Sequence, residues 1–440
     1  MELNRFKLFL FLIVFVLFKY TNAQEKPNII FILADDLGYG DLSCYGAQDI
    51  ETPHIDALAK SGIQFTRAYA NSTVCSPSRA AILTGNYPDY VGVPGVIRDM
   101  PDNTWGNLKD DLVTLPEALK KVQYNTAIIG KWHLGYKAPD IPKERGFDYF
   151  KGFLGDMMDD YYTHRRAGVN WMRENEQEID PQGHATDLFT DWTLDYLEKH
   201  RKEKKPFFLY LAYTAPHNPV QPPENWLEKV QKREPDASLK RQKLIALIEH
   251  LDYNVGRILD YLKASHLDKN TIVVFTSDNG GALHYGASNQ PYSGGKGDLL
   301  EGGIRIPCLV KLPNHSKNAM SDSPILLMDF YPTLVELAKG KTENELPSKP
   351  INELLERDKV PSREMVWMRR EGFIFGGRAY YAISDGRYKL VQNRPFTGYE
   401  LFDLKEDPLE KNPLDNPELK KKLMTILMKH IQVSGKIPWQ

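Results

Sequence analysis

The sequence predicts an α/β fold: a large, mostly parallel sheet flanked by helices, followed by a small C-terminal antiparallel sheet. Three observations carry this expectation. Continuous apolar runs of strand length recur along the first three quarters of the chain. Helical patterns lie between them, the alternation of a parallel sheet. After about Leu337 the character changes to a hairpin and one closing helix.

Asn28-Ile29-Ile30-Phe31-Ile32-Leu33 is apolar almost throughout and leads into Asp35-Asp36, which suits a strand buried on both faces. Residues 126–130, 207–213 and 271–276 repeat that signature. Residues 53–61 form a short helix stopped by Gly62, and Thr114 caps a helix reaching 122 with Pro116 in its first turn. Over 239–263, Leu244, Ile248, Leu251, Val255, Ile258 and Leu262 recur at helical spacing, so that face packs on the sheet. Residues 340–352 are polar and turn-rich, as a connection is. Residues 380–391 read as a hairpin with Asp385-Gly386 as its turn. Glu400-Leu401-Phe402-Asp403 leads into Asp407-Pro408, and 416–433 is the closing helix. The expected division is a catalytic unit over 24–337 and a C-terminal subdomain over 338–440.

The chain starts with Glu2, Arg5 and Lys7, runs apolar from Leu8 to Phe18, and reaches Thr21-Asn22-Ala23. A short basic start, an apolar run too short to span a bilayer and small residues before a cut site describe a secretory signal peptide over 1–23. An uncleaved anchor is the alternative. The expectation is a periplasmic or secreted protein with no stable membrane insertion after cleavage. The 58 acidic and 56 basic side chains leave a net charge of −2, which excludes the strongly basic domain of a nucleic-acid binder. Three cysteines, Cys44, Cys75 and Cys308, are too few for a stapled scaffold. Pairing of Cys44 with Cys308 and two buried free thiols both remain open.

Ligands of open α/β sheets sit at the carboxyl ends of the strands. Asp35 and Asp36 follow the first strand, and Asp278-Asn279 follow another. Together they offer an all-oxygen site that suits calcium better than zinc, although an Asp-Asp pair after a strand is also a common helix cap or solvated turn. Lys131 and His133, at i and i+2 on a strand end, share one face. Arg79 lies four residues after Cys75, so a helix opening at Cys75 puts both on one side. His217 follows a strand in Thr214-Ala215-Pro216-His217, and Lys296 sits among glycines in Gly294-Gly295-Lys296-Gly297.

Cys75, Pro77, Ser78, Arg79, Leu83, Thr84 and Gly85 fill the pattern C-x-P-S-R-x-x-x-L-T-G, which resembles the signature of the formylglycine-dependent sulfatases, the type I, arylsulfatase-like branch of the alkaline-phosphatase superfamily. The run Gly130-Lys131-Trp132-His133-Leu134-Gly135 and the T-x-P-H pattern ending at His217 extend the resemblance, as does Glu301-Gly302-Gly303-Ile304-Arg305. It implies an alkaline-phosphatase-like sandwich and a sulfuric ester hydrolase. It implies that Cys75 is oxidised by a maturation enzyme to formylglycine, whose hydrate attacks sulfur. Asp35, Asp36, Asp278, Asn279 and the converted Cys75 would hold one Ca2+. Lys131 would steady the formylglycine, His133 would take the proton that lets sulfate leave, His217 would protonate the departing alcohol, and Lys296 would bind the sulfate oxygens. Ser76, Pro77 and Ser78 read as elements that the maturation enzyme recognises. The implied substrate is a sulfated polysaccharide or its oligosaccharides, such as ulvan, carrageenan or a glycosaminoglycan. Trp105, Asp159, Asp160, His164, Arg165, Arg166 and His284 are candidate sugar contacts. Two rivals stand beside this reading. A phosphatase or phosphodiesterase of the superfamily would use serine or threonine with two zinc ions and added histidines. An inert sulfoglycan-binding protein would have lost part of the catalytic set.

Overall fold

The computed structural model describes residues 26–98, 106–313, 318–342, 345–356, 363–372 and 376–438. The expected signal peptide and Trp105 lie outside them. Among the described residues, no helix is long and apolar enough to cross a membrane.

The main sheet has eleven strands. Across it run Ala319–Ser321, Ile63–Tyr69, Arg305–Lys311, Thr271–Ser277, Asn28–Ala34, Phe207–Ala212, Asn125–Lys131, Tyr149–Phe153, Met172–Glu174 and Gln177–Glu178, with Ile325–Leu326 also paired to the second of these. The five strands from Thr271–Ser277 to Tyr149–Phe153 are mutually parallel. Their carboxyl ends therefore share one edge. The register pairs Ala34 with Ser277 and Leu33 with Ala212, which puts Asp35 beside Asp278 and the start of the His217 loop.

Alternation along the central strand explains its unbroken apolar run. Ile29, Phe31 and Leu33 enter one core, and Ile30, Ile32 and Ala34 the other. Ile82, Leu83, Leu115, Leu119 and Leu334 cover the first face; Phe189, Leu244, Ile248, Leu251 and Val255 cover the second. Truncating any such buried Leu or Ile to Ala costs about 2–5 kcal/mol. The helices expected at 53–61, 114–122 and 239–263 are present as Pro53–Ser61, Leu115–Lys121 and Leu239–Ala264. Thr114 and Glu117 form a reciprocal capping box. Gly130 has φ +104°, and a Cβ there would lie 2.0 Å from the Ala212 carbonyl oxygen, so only glycine lets these two strands meet.

Two central strands escape the sequence reading. Ile63–Tyr69 and Arg305–Lys311 pair antiparallel beside the parallel set. The second contains Pro307, which has no N–H for a ladder, and the register shifts between Ile306 and Cys308 to accommodate it.

The C-terminal sheet consists of Met365–Arg370, Ala379–Ser384, Tyr388–Val391 and Glu400–Asp403, all antiparallel neighbours, with Pro417–Ser434 packed on it. Trp367 Nε1 ties it to the main sheet by donating to the Ala70 carbonyl at 2.8 Å. Lys389, wholly buried, lies 3.0 Å from Glu301 Oε1 and 2.9 Å from Glu410 Oε1. Cys44 and Cys308 are free thiols rather than a disulfide.

Candidate active site

Each sequence-flagged loop arrives at the same edge of the sheet. Backbone bonds lock the loops together: Asp35 N–H donates to Ala215 O at 3.1 Å, and Asp278 N–H to Ala34 O at 3.2 Å. Asp36 takes φ +67°, and its N–H donates to Asp278 Oδ1 at 3.2 Å. Cys75 opens the helix Cys75–Thr84, all of whose residues are buried, and Gly85 ends it in the left-handed conformation. Arg79, one turn on, shares its face.

Cys75 Sγ lies 3.2 Å from Asp35 Oδ1, 3.9 Å from Asp36 Oδ1 and 3.7 Å from Lys296 Nζ. Lys131 Nζ pairs with Asp35 Oδ2 at 2.5 Å, and Lys296 Nζ with Asp36 Oδ2 at 2.7 Å. Arg79 grips Asp278 Oδ2 through Nε at 3.1 Å and Nη2 at 2.8 Å, and donates from Nη1 to Lys131 O at 3.0 Å. Three carboxylates thus face three cations in a pocket that is buried except at Lys296.

Burial alone would raise the Asp35 carboxyl, but Lys131, His217, Arg79 and Lys296 outweigh it and hold it well below the usual range. Burial, then Asp35, raises Asp278 against the pull of Arg79. Burial, then Asp278 and Asp35, pushes the Cys75 thiol well up, so it stays protonated.

His133 is buried here by a different route from the expected one. The strand ends at Lys131, and His133 takes φ +60°, so the two do not share a strand face. Its Nε2 lies 2.8 Å from Ile97 O. A neutral imidazole donates there and leaves Nδ1 as a lone pair, which is buried without a partner. Burial, then Lys131 and Arg79, lowers its pKa well below the ordinary value and keeps it neutral. His217 Nδ1 faces Asn218 O at 2.7 Å, leaving Nε2 at 3.6 Å from Asp36 Oδ2. Burial and Lys296 lower its pKa.

The donor set fits a divalent cation. Ligand atoms of Asp35, Asp36, Cys75 and His217 all lie within 4.8 Å of one another. Asp278 is not in this tight group; its Oδ2 is taken by Arg79. Asn279 donates from Nδ2 to Asp36 Oδ1 at 2.8 Å, while its own Oδ1 is buried with no donor. Such an orphaned oxygen is free to coordinate a cation.

The candidate sugar contacts fare unevenly. His164 is buried, with Nε2 3.0 Å from Gly183 O. Asp160 caps its own turn through Tyr162 and Thr163 N–H groups. Arg165 pairs with Asp180, and Arg166 with Asp156 and Asp159, so both guanidinium groups are engaged by neighbouring carboxylates. His284 is exposed, its ring tilted against that of Tyr285. Two tyrosines that the sequence did not flag brace the site instead. Tyr161 donates to Thr214 O at 2.8 Å and to His217 O at 2.9 Å, and Tyr380 donates to Gly297 O at 2.6 Å.

The family model for sulfatases matches residues 27–341. The chain belongs to the sulfatase family. A second model, N-sulphoglucosamine sulphohydrolase C-terminal, matches residues 296–435. Arylsulfatase J of Mus musculus is 36% identical over 74% of this chain, and the match spans 55% of that protein's length. The N-acetylgalactosamine-6-O-sulfatase of Bacteroides thetaiotaomicron is 29% identical over 92% of this chain and 93% of its own. Among solved structures, Ps i-CgsB in complex with k-i-k-neocarrahexaose superposes with a TM-score of 0.86 at 30% identity, covering 94% of this chain and 95% of that one.

Proposed function

We propose that this sulfatase-family protein is a sulfuric ester hydrolase acting on sulfated carbohydrate, with a formylglycine made from Cys75. The observation that carries the reading is the setting of Cys75: its Sγ touches two carboxylates and an ammonium in a pocket that disfavours the thiolate. A thiol there is neither a good nucleophile nor a good metal ligand, whereas an oxygen-bearing side chain suits both neighbours. The buried motif helix also requires the maturation enzyme to reach Cys75 before the helix packs.

Asp35, Asp36, Asp278, Asn279 and residue 75 are the residues that would hold the cation, and an oxygen-rich set of this kind favours calcium. Bound there, the ion supplies Lewis-acid polarisation of the sulfate oxygens, and the hydrated aldehyde supplies the attacking hydroxyl. This chain's own groups do the rest. The pocket is balanced at three negative and three positive groups, so a dication leaves a surplus that attracts a sulfate ester. Lys131 and Lys296 present fixed ammonium groups where negative charge develops. Arg79 holds the Asp278 carboxylate and the Lys131 backbone in place. With Nδ1–H held by Asn218 O, His217 delivers a proton from Nε2 to the departing alcohol oxygen only when the ring carries a second proton there, a form that burial and Lys296 oppose and that Asp36 and Asp35 favour. His133 accepts, at its unpartnered Nδ1, the proton whose removal lets sulfate leave.

The carbohydrate assignment is supported by the relatives named for N-acetylgalactosamine 6-sulfate and the neocarrahexaose complex. The basic-then-apolar start of the chain supports export to the periplasm or beyond. Rates on matched sulfate and phosphate esters test the reaction class. Sulfate turnover abolished by Cys75→Ala is expected; preferential phosphate turnover that survives Cys75→Ala would overturn it.

A further inference from the structure

We propose that Tyr380, on the C-terminal sheet, is a positioning residue that acts through Lys296; this rests on the sulfatase reading of the site. Lys296 reaches the Cys75 pocket on a long side chain from a glycine-rich loop. Gly294 and Gly297 have φ +79° and +94°, and Gly295 lies between them. Glycines in such a loop leave the backbone free unless something outside fixes it. Yet Lys296 Nζ must stay 2.7 Å from Asp36 Oδ2 and 3.7 Å from Cys75 Sγ.

The N–H groups of the loop are fixed from the catalytic side. Lys296 N–H donates to Gly281 O and Gly297 N–H to Thr73 O, each at 3.0 Å. The carbonyl side is fixed from the C-terminal sheet. Tyr380, buried, donates its hydroxyl to Gly297 O at 2.6 Å and accepts from Arg369 Nη1 at 3.0 Å. Arg369 is itself held by Glu371, Nε to Oε1 at 2.5 Å. Further along, Leu299 N–H donates to Asn393 Oδ1 and Glu301 N–H to Glu410 Oε2, each at 2.6 Å. Tyr380 stands nearest to Lys296 in this series, one residue away. The Gly297 peptides are thus pinned between the Cys75 loop and the C-terminal sheet, which aims the lysine.

A double-mutant cycle tests this with an activated aryl sulfate as substrate. Tyr380→Phe keeps the ring and removes only the hydroxyl. It is expected to lower kcat/KM about tenfold in the wild-type background and less than about twofold in Lys296→Ala, the non-additivity of residues acting through one another. Equal losses in both backgrounds would overturn the positioning role. Full activity of Lys296→Ala would overturn the role of Lys296 and with it that of Tyr380, whereas absence of sulfate-ester turnover by the wild type would overturn the sulfatase reading on which the proposal rests. Amide exchange gives a readout that does not depend on turnover. In Tyr380→Phe, residues 293–303 are expected to exchange faster while residues 379–403 stay unchanged; protection unchanged at 293–303, or lost equally in both, would overturn the proposal. Asn393→Ser, which removes the clamp on Leu299, serves as a second variant and is expected to show the same pattern at smaller size.

Discussion

Replacing Lys389 by Met should cost this protein about 3–5 kcal/mol at pH 8.5 and distinctly less at pH 6. Lys389 is wholly buried between two carboxylates, Glu301 at 3.0 Å and Glu410 at 2.9 Å, and its ammonium lies 6.0 Å from the centre of the Trp367 ring. Arg305 also reaches Glu301 at 3.3 Å, whereas Glu410 has only Lys389 as an ion-pair partner among the described residues. One cation serving two acids explains why they part ways. Glu301 is held low, since Lys389 and Arg305 overcome its burial; Glu410 is pushed up to about 7 by burial despite Lys389. In the wild type, the Glu410 carboxyl binds its proton more tightly folded than unfolded. Its contribution is therefore most favourable below about pH 4.5 and is lost as pH rises to 7, by about 3 kcal/mol in all. Methionine fills the volume of lysine but leaves the carboxylates without their shared cation, and breaking a buried pair from one side costs about 3–5 kcal/mol. Protonating either acid relieves that cost, so the deficit must grow with pH. Urea unfolding followed by tryptophan fluorescence at pH 6 and 8.5, with equal m-values, reads it as a shift of midpoint. A deficit under about 1 kcal/mol at pH 8.5, or a larger one at pH 6, would refute the reasoning. Glu410→Gln leaves Lys389 and Glu301 balanced, and should stay within about 1 kcal/mol of wild type at pH 8.5.

Three further outcomes are expected. His217→Ala should lower kcat/KM by about 10²–10⁴ on sugar sulfates, whose alcohols leave poorly, and by less than about tenfold on activated aryl sulfates; equal losses on both would remove the general-acid role. Asp278→Ala should abolish turnover and also cost about 3–5 kcal/mol in urea, because it strips the buried Arg79 of its closest carboxylate; retained activity would remove Asp278 from the site. A chelator should abolish activity and lower the thermal midpoint, and calcium at about 100 times its Kd should restore about 2.7 kcal/mol; indifference to chelation would refute the cation site.

The parallel core and most site loops were legible because their signals are local. An unbroken apolar run says "buried strand", and Asn28–Ala34 follows it, with Asp35 and Asp36 at its carboxyl end beside Asp278. Ile63–Tyr69 alternates in burial only partly, and Pro307 disguises Arg305–Lys311, so neither strand announces itself. The shared strand face expected for Lys131 and His133 fails, since the chain turns left-handed just past Lys131; that turn, within the Gly130–Gly135 run that also singles out His133, buries the ring beside the site. Tyr161 and Tyr380 act across 53 and 83 residues of sequence, a separation at which no periodicity can mark them. Charged loop residues such as Arg165 and Arg166 pointed toward substrate in the sequence but are engaged with Asp180, Asp156 and Asp159 in the fold.

The most direct test is made on one preparation: the mass of the peptide carrying residue 75, and sulfate release from a panel of sulfated galactans, ulvan fragments and glycosaminoglycan oligosaccharides. An aldehyde at residue 75, with sulfate released from at least one panel member by the wild type and by no Cys75→Ala sample, is the expected result. Sulfate release by protein whose residue 75 is still a thiol, or by Cys75→Ala, would contradict the formylglycine mechanism.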